Sequence, residues 1–253
     1  MLKLAVGCGG GWLDYGHGVR NQRVAIAGLS LAVVGVVLGA VVVLGAGEDE
    51  SGAPRVTAVP LTRTRAASPA SPSRAGWQVV DDADTGLRYE VPSEWALAPD
   101  TETLESSSGT VLGHLTDFGT YLCQGAEYGR AFSGSGRVEG DPADVATEVA
   151  AAIAADQYSD GSQTAKVTLS RPTPVVRDGA RGTVIRAEAE VMADEVADSC
   201  AGTRGVVTVI ALATAVGTSV VVLGADTDDR GPAVPLADPD ALRGISDSVR
   251  PRG

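Results

Sequence analysis

Few side chains in this chain could do chemistry, and their spacing limits what that chemistry could be. A serine or cysteine nucleophile needs a base within hydrogen-bond reach. His17 and His114 are the two histidines in the sequence. His114 falls in a stretch that reads as a strand, and no Gly-x-Ser-x-Gly elbow is present, so a structural or surface histidine is expected. A multi-histidine metal centre is excluded by the same count. The run Asp226-Thr227-Asp228-Asp229-Arg230-Gly231 clusters oxygens as calcium loops do. Arg230 stands where such a loop needs a ligand, and no bidentate acid follows at the required distance, so a solvated turn is expected. Gly134-Ser135-Gly136 with Gly140 resembles a dinucleotide loop, but the last glycine is one residue late and no helix starts there; the stretch reads as a flexible hairpin tip. Asp194, Glu195 and Asp198 could do acid-base work only if one were desolvated, and they read as an acidic loop before Cys200. No catalytic residue, metal or cofactor is assigned.

Two features carry more weight. Cys123 and Cys200 form an even pair in the part of the chain expected outside the cell, where thiols oxidise. They are expected to bridge, against the alternative of two separate buried thiols. Tyr89, Trp95, Phe118, Tyr121, Tyr128 and Phe132 gather in a chain that is only 4% aromatic. Tyr89, Trp95 and Phe118 are expected in the core. Tyr128 and Phe132, close to glycines, are candidates for a binding surface.

The elements that must position these residues fall into four segments. Residues 24–46 form an uncharged run; as a helix it reaches about 35 Å, enough to cross a hydrocarbon core of about 30 Å. Arg20 and Arg23 precede it and Glu48, Asp49 and Glu50 follow it. The positive flank places residues 1–23 in the cytoplasm as a short tail and everything after 46 outside. A cleaved signal peptide is the alternative, disfavoured by the length of the run and the poor site at Leu44-Gly45-Ala46. Residues 47–76 hold Pro54, Pro60, Pro69 and Pro72 among Ser, Thr, Ala and Arg, a composition that reads as a disordered linker.

Residues 77–253 read as one α+β domain. Strands are expected at 77–80, 87–91, 111–116, 117–123 or 130–138, 165–170, 180–192, 205–213 and 219–224. The uncharged run 205–225 is broken by Gly217-Thr218-Ser219 and is rich in β-branched residues, so it reads as two buried strands and not as a second span. Asp141-Pro142 and Asp238-Pro239 each supply an N-cap and a proline at the first helical position. They open helices to about 158 and 249. The order of strands, helix, strands, helix indicates a mainly antiparallel sheet with packed helices.

The stretch TGLRYEVPSEWAL at 85–97, the Tyr121-Leu122-Cys123 triplet, the helix opening DPADVATEVAAAIA at 141–154, the acidic stretch before Cys200 and the terminal helix resemble uncharacterised membrane-anchored outer domains of actinobacteria. Those are similar to the PsbP-like α/β/α sandwich. The resemblance implies that fold and an outer location, and it brings no known activity.

Charge narrows the function further. Of the 32 acidic and 20 basic residues, 28 and 13 fall in 77–253, whereas 51–76 carries Arg55, Arg63, Arg65 and Arg74 and no acid. An acidic globular part repels phosphate backbones, which excludes nucleic-acid binding as the expected role. The sequence therefore points to a single-pass membrane protein whose outer domain is a non-catalytic binding module at the cell envelope. Its partner would be an envelope protein, a cell-wall polymer or a small ligand. The alternative is an envelope-acting hydrolase using acidic residues.

Overall fold

The computed structural model describes residues 71–159, 164–192, 200–228 and 234–253. The expected span at 24–46, most of the linker, and Asp194, Glu195 and Asp198 lie outside the described residues. Among the described residues no helix is long and apolar enough to cross a membrane.

In chain order the elements are β1 (Trp77–Asp82), β2 (Leu87–Pro92), β3 (Ala96–Leu97), β4 (Leu104–Glu105), β5 (Val111–Phe118), β6 (Tyr121–Cys123), β7 (Ala126–Tyr128), β8 (Ala131–Val138) and α1 (Pro142–Tyr158). Then come β9 (Lys166–Leu169), β10 (Thr173–Arg177), β11 (Ala180–Glu190), β12 (Arg204–Thr214), β13 (Gly217–Asp226), α2 (Pro239–Ser248) and β14 (Arg250–Pro251). The large sheet has nine strands in the order β10-β11-β12-β13-β8-β5-β3, with β4 paired to β5 and β9 to β11. A small sheet, β1-β2-β14, and the β6-β7 hairpin complete the set, and every pairing is antiparallel. The expected α+β class is therefore observed.

Both faces of the central strands are buried, which is why 205–225 reads as one apolar run. Val207, Val209 and Ala211 of β12 and Val220 and Val222 of β13 face α1 and join one core. Val206, Ile210 and Leu212 of β12 and Val221 and Leu223 of β13 face the other way, into a second core with Leu87, Tyr89, Val91, Trp95 and Ile245. Tyr89 and Trp95 are each 1% exposed, and Trp95 stacks on Phe118 at 5.8 Å, as the core assignment expected. The layers are thus a helix, the large sheet, and a third layer that α2 shares with the small sheet.

The two helix starts form as their sequences dictate. The Asp141 carboxylate accepts from the Ala143 N–H at 2.9 Å and the Asp238 carboxylate from the Asp240 N–H at 2.9 Å, each ahead of the proline. Such caps are worth about 1 kcal/mol each. The α1 face made by Val145, Ala146, Val149, Ala150, Ile153 and Ala154 is fully buried against the sheet. Ile153→Ala would remove about 2–5 kcal/mol there.

The expected hairpin tip is not observed. Gly134-Ser135-Gly136 is not a hairpin tip but the middle of β8, which runs between β13 and β5. A Cβ on Gly136 would lie 2.4 Å from the Val111 carbonyl oxygen, and one on Gly134 would lie 2.7 Å from Leu115 Cδ2. These glycines let the neighbouring strand and its leucines approach closely. Of the two fourth-strand options, 130–138 is the observed one. The segment 117–123 is broken at Gly119, whose φ is +64°.

Candidate binding surface

The third layer covers only part of the large sheet, and the uncovered part carries charge in register. On β11, Ile185, Ala187 and Ala189 belong to the α1 core, so alternation turns Arg186, Glu188 and Glu190 to the opposite face. Glu190 is flanked across the strands by Lys166 and Arg204, Glu188 by Thr168 and Val206, and Arg186 by Thr208. Lys166, Arg186, Glu188, Glu190, Arg204 and Thr227 line an open groove of about 490 Å³. Arg204 pairs with Glu190, and Arg186 with Glu188 at 3.5 Å. The Lys166 side chain has no hydrogen bond or ion pair among the described residues. Exposed ion pairs of this kind contribute little to stability. The groove can exchange them for contacts with a charged or polar partner, and three cations face two carboxylates in an otherwise acidic domain.

A second polar cluster is sealed instead of open. Arg130 enters β8 with a side chain that is 0% exposed, and its Nη1 donates to Asp226 Oδ2 at 3.2 Å. Tyr158, at the end of α1, donates its hydroxyl to Asp226 Oδ1 at 3.0 Å. The Arg130 guanidinium stacks over Tyr121 at 5.1 Å, Tyr121 stacks on Tyr128 at 5.6 Å, and the Tyr121 hydroxyl donates to the Cys200 carbonyl at 2.6 Å. The Cys123–Cys200 disulfide, with Cα atoms 5.7 Å apart, ties the β6-β7 hairpin to this cluster. Desolvation pushes the Asp226 carboxyl up to about 6, against the opposing pull of the Arg130 hydrogen bond, the Tyr158 hydroxyl and the Arg130 charge. The expected solvated turn at 226–231 is therefore wrong at its first residue. Asp226 is the end of β13, and Asp228 accepts from the Thr203 N–H.

Of the two aromatics singled out in the sequence, Phe132 is 4% exposed, and its ring occupies the space where a Gly224 side chain would project. Tyr128 is half-buried in the Tyr121 stack. Both border a cavity of about 30 Å³ beside Arg130 and Asp226, room for water and no larger ligand. Sequence reading did not select Arg130 or Tyr158. The signal it could have used is an arginine at the start of an otherwise small-residue strand.

The third cluster surrounds Asp82, 2% exposed. Its Oδ1 accepts the N–H groups of Asp84 and Thr85, and its Oδ2 accepts the Ser135 hydroxyl at 2.6 Å. His114 Nε2 lies 3.5 Å from Oδ1. Burial alone would raise this carboxyl, but the Ser135 and Thr85 hydrogen bonds and the His114 charge outweigh it and hold it below the usual range. Ser135 donates to the carboxylate and not to the imidazole, so the trio fixes the β1-β2 turn against β8 and does not make a nucleophile-base pair.

A family model described as a domain of unknown function, DUF8017, matches residues 70–253. No curated protein matches the chain. Among solved structures, the chain is similar to the solution structure of cyanobacterial PsbP (CyanoP) from Synechocystis sp. PCC 6803. That likeness covers 73% of this chain and 97% of that one, at 13% identity and a TM-score of 0.40.

Proposed function

Because the chain belongs to the DUF8017 family of domains of unknown function, we propose its role from its own geometry: a non-catalytic binding domain held outside the cell on a single membrane helix. Residues 24–46 fix the protein in the membrane with the N-terminus in the cytoplasm, 47–76 set its reach, and 77–253 meet the partner. The membrane-anchored outer domains of actinobacteria that the sequence resembles are the group in which this proposal places it. The observation that carries the reading is the Cys123–Cys200 bridge. Such a bond persists in oxidising compartments and not in cytosol. Here it joins the β6-β7 hairpin to Cys200, whose carbonyl accepts the Tyr121 hydroxyl. The groove along Lys166, Glu188 and Glu190 is the surface on offer, and an envelope protein, a wall polymer or a small polar ligand is the partner class. The rival reading, a hydrolase using acidic residues, would need a desolvated carboxyl free to meet a substrate, whereas the buried Asp82 is held by Ser135, Asp84 and Thr85 and Asp226 by Arg130 and Tyr158.

Site-specific photocrosslinking in intact cells tests this. A photoreactive residue at Glu188 or Lys166 is expected to capture a defined envelope component that the same residue at Val176, 67% exposed elsewhere, does not. Equal capture from all three positions, or catalytic turnover of an envelope substrate by the purified chain, would overturn the proposal.

A further inference from the structure

The outward face of the small sheet places two arginines side by side on neighbouring strands. Arg88 of β2 and Arg250 of β14 are direct partners in the antiparallel register, and like charges so placed destabilise a strand pair. Both line a cavity of about 300 Å³, together with Ser71, Ser73, Glu90 and Asp178. The described acids around Arg88 make no ion pair with it: Asp81, its register partner on β1, is held by Arg252 at 2.6 Å. Glu90 is engaged by Ser73, whose N–H and hydroxyl donate to its two oxygens at 2.8 and 2.9 Å. Asp178 lies 3.9 Å from Arg250, whose Nε already donates to the Ser248 carbonyl at 2.9 Å. Arg88 itself has no hydrogen bond or ion pair among the described residues. A half-buried fork of five N–H donors is thus left facing an open cavity, beside a second arginine of the same sign.

We infer that this cavity is a phosphate site. Guanidinium forks match phosphate and carboxylate edges in pairs of hydrogen bonds. A carboxylate offers two coplanar oxygens. A phosphate group offers oxygens on several sides, so it can engage Arg88, Arg250 and the Ser71 hydroxyl together while cancelling the repulsion between the arginines. Ser71 and Ser73 belong to the described end of the linker, so the last linker residues help wall the cavity. The phosphate is either a free ion or the headgroup of an anionic lipid. The free-ion arm of the test does not depend on the anchor reading.

The test uses the full chain reconstituted in phosphatidylcholine bilayers, with melting followed by tryptophan fluorescence at matched ionic strength. A ligand bound only by the folded state raises Tm in a saturable way. Inorganic phosphate is expected to raise the wild-type Tm saturably and to leave Arg88→Gln unmoved. In phosphate-free buffer Arg88→Gln is expected to melt in a single cooperative transition, which shows that it folds. Arg250→Gln is the second variant and is expected to lose the phosphate response as well. If phosphatidylglycerol bilayers raise the wild-type Tm without added phosphate and abolish its further response, the source is a lipid headgroup. An equal response in both bilayers identifies free phosphate. A phosphate shift that persists undiminished in Arg88→Gln is a general salt effect and overturns the inference, as does the absence of any Arg88-dependent shift from either phosphate or phosphatidylglycerol.

Discussion

Replacing Arg130 by methionine keeps the length of the side chain and removes the charge that faces Asp226. Arg130 is 0% exposed and Asp226 is 11% exposed at the side chain, so the carboxylate left behind has little water to compensate it. Breaking a buried pair from one side costs about 3–5 kcal/mol, a large share of the roughly 5–15 kcal/mol that holds a domain of this kind together. The loss should depend on pH with a definite sign. In the wild type the Asp226 pKa stands at about 6, above its unfolded value. Its contribution to stability is therefore fully present below pH 3.8 and is lost as pH rises through 6. Without Arg130 the carboxyl is raised further, so Arg130→Met is expected to be worst at pH 7.5 and to recover part of its deficit at pH 5. Urea unfolding followed by tryptophan fluorescence at both pH values measures this. Adding Asp226→Leu should return about 0.5–3 kcal/mol through the coupling between the two sites. A single-variant loss under 1 kcal/mol at pH 7.5, or losses that simply add in the double variant, would refute the reasoning.

Three further outcomes follow from the same geometry. Gly136→Ala drives a Cβ to 2.4 Å from the Val111 carbonyl oxygen, so β5 and β8 must separate; a loss of about 1–3 kcal/mol is expected in a thermal melt. Opening the Cys123–Cys200 bridge, whose partners are 77 residues apart, releases unfolded-chain entropy worth about 4.5 kcal/mol, readable as a lower urea midpoint in the Cys123→Ala/Cys200→Ala variant. Asp82→Asn should cost stability at neutral pH, and the cost should disappear in acid. The Asp82 pKa is held down in the fold, so its contribution is present above pH 3.8 and fades as pH falls through the lowered value, which a pH series of melts on both proteins detects.

Local signals carried much of this fold. Both helices start where an Asp-Pro pair places them, and β11, β12 and β13 emerge from β-branched runs that end at turn residues. The disulfide was expected from the even pair Cys123 and Cys200. What local pattern could not show was determined by distant neighbours. Gly134 and Gly136 look like a turn in isolation, and only the approach of Leu115 and of the Val111 carbonyl makes them strand residues. Asp226 looks solvated until Arg130, 96 positions earlier in the chain, is folded against it. Strand β10 contains Pro174 and an exposed Val176, the marks of an edge that resists further pairing, and so it lacks the alternation by which strands are recognised. The charged groove is legible only through register, because Lys166, Glu190 and Arg204 come together across three strands.

The outer location of the disulfide-closed domain is the claim on which the proposed role rests. A membrane-impermeant maleimide of defined mass, applied to intact cells producing the full chain, reads it directly. After mild reduction with an impermeant phosphine, the half-buried Cys123 should label while Cys8, in the tail proposed to be cytoplasmic, stays unlabelled until lysis, and Cys123 should not label before reduction. Labelling of Cys123 only after lysis, or a free thiol there from the start, would contradict the account.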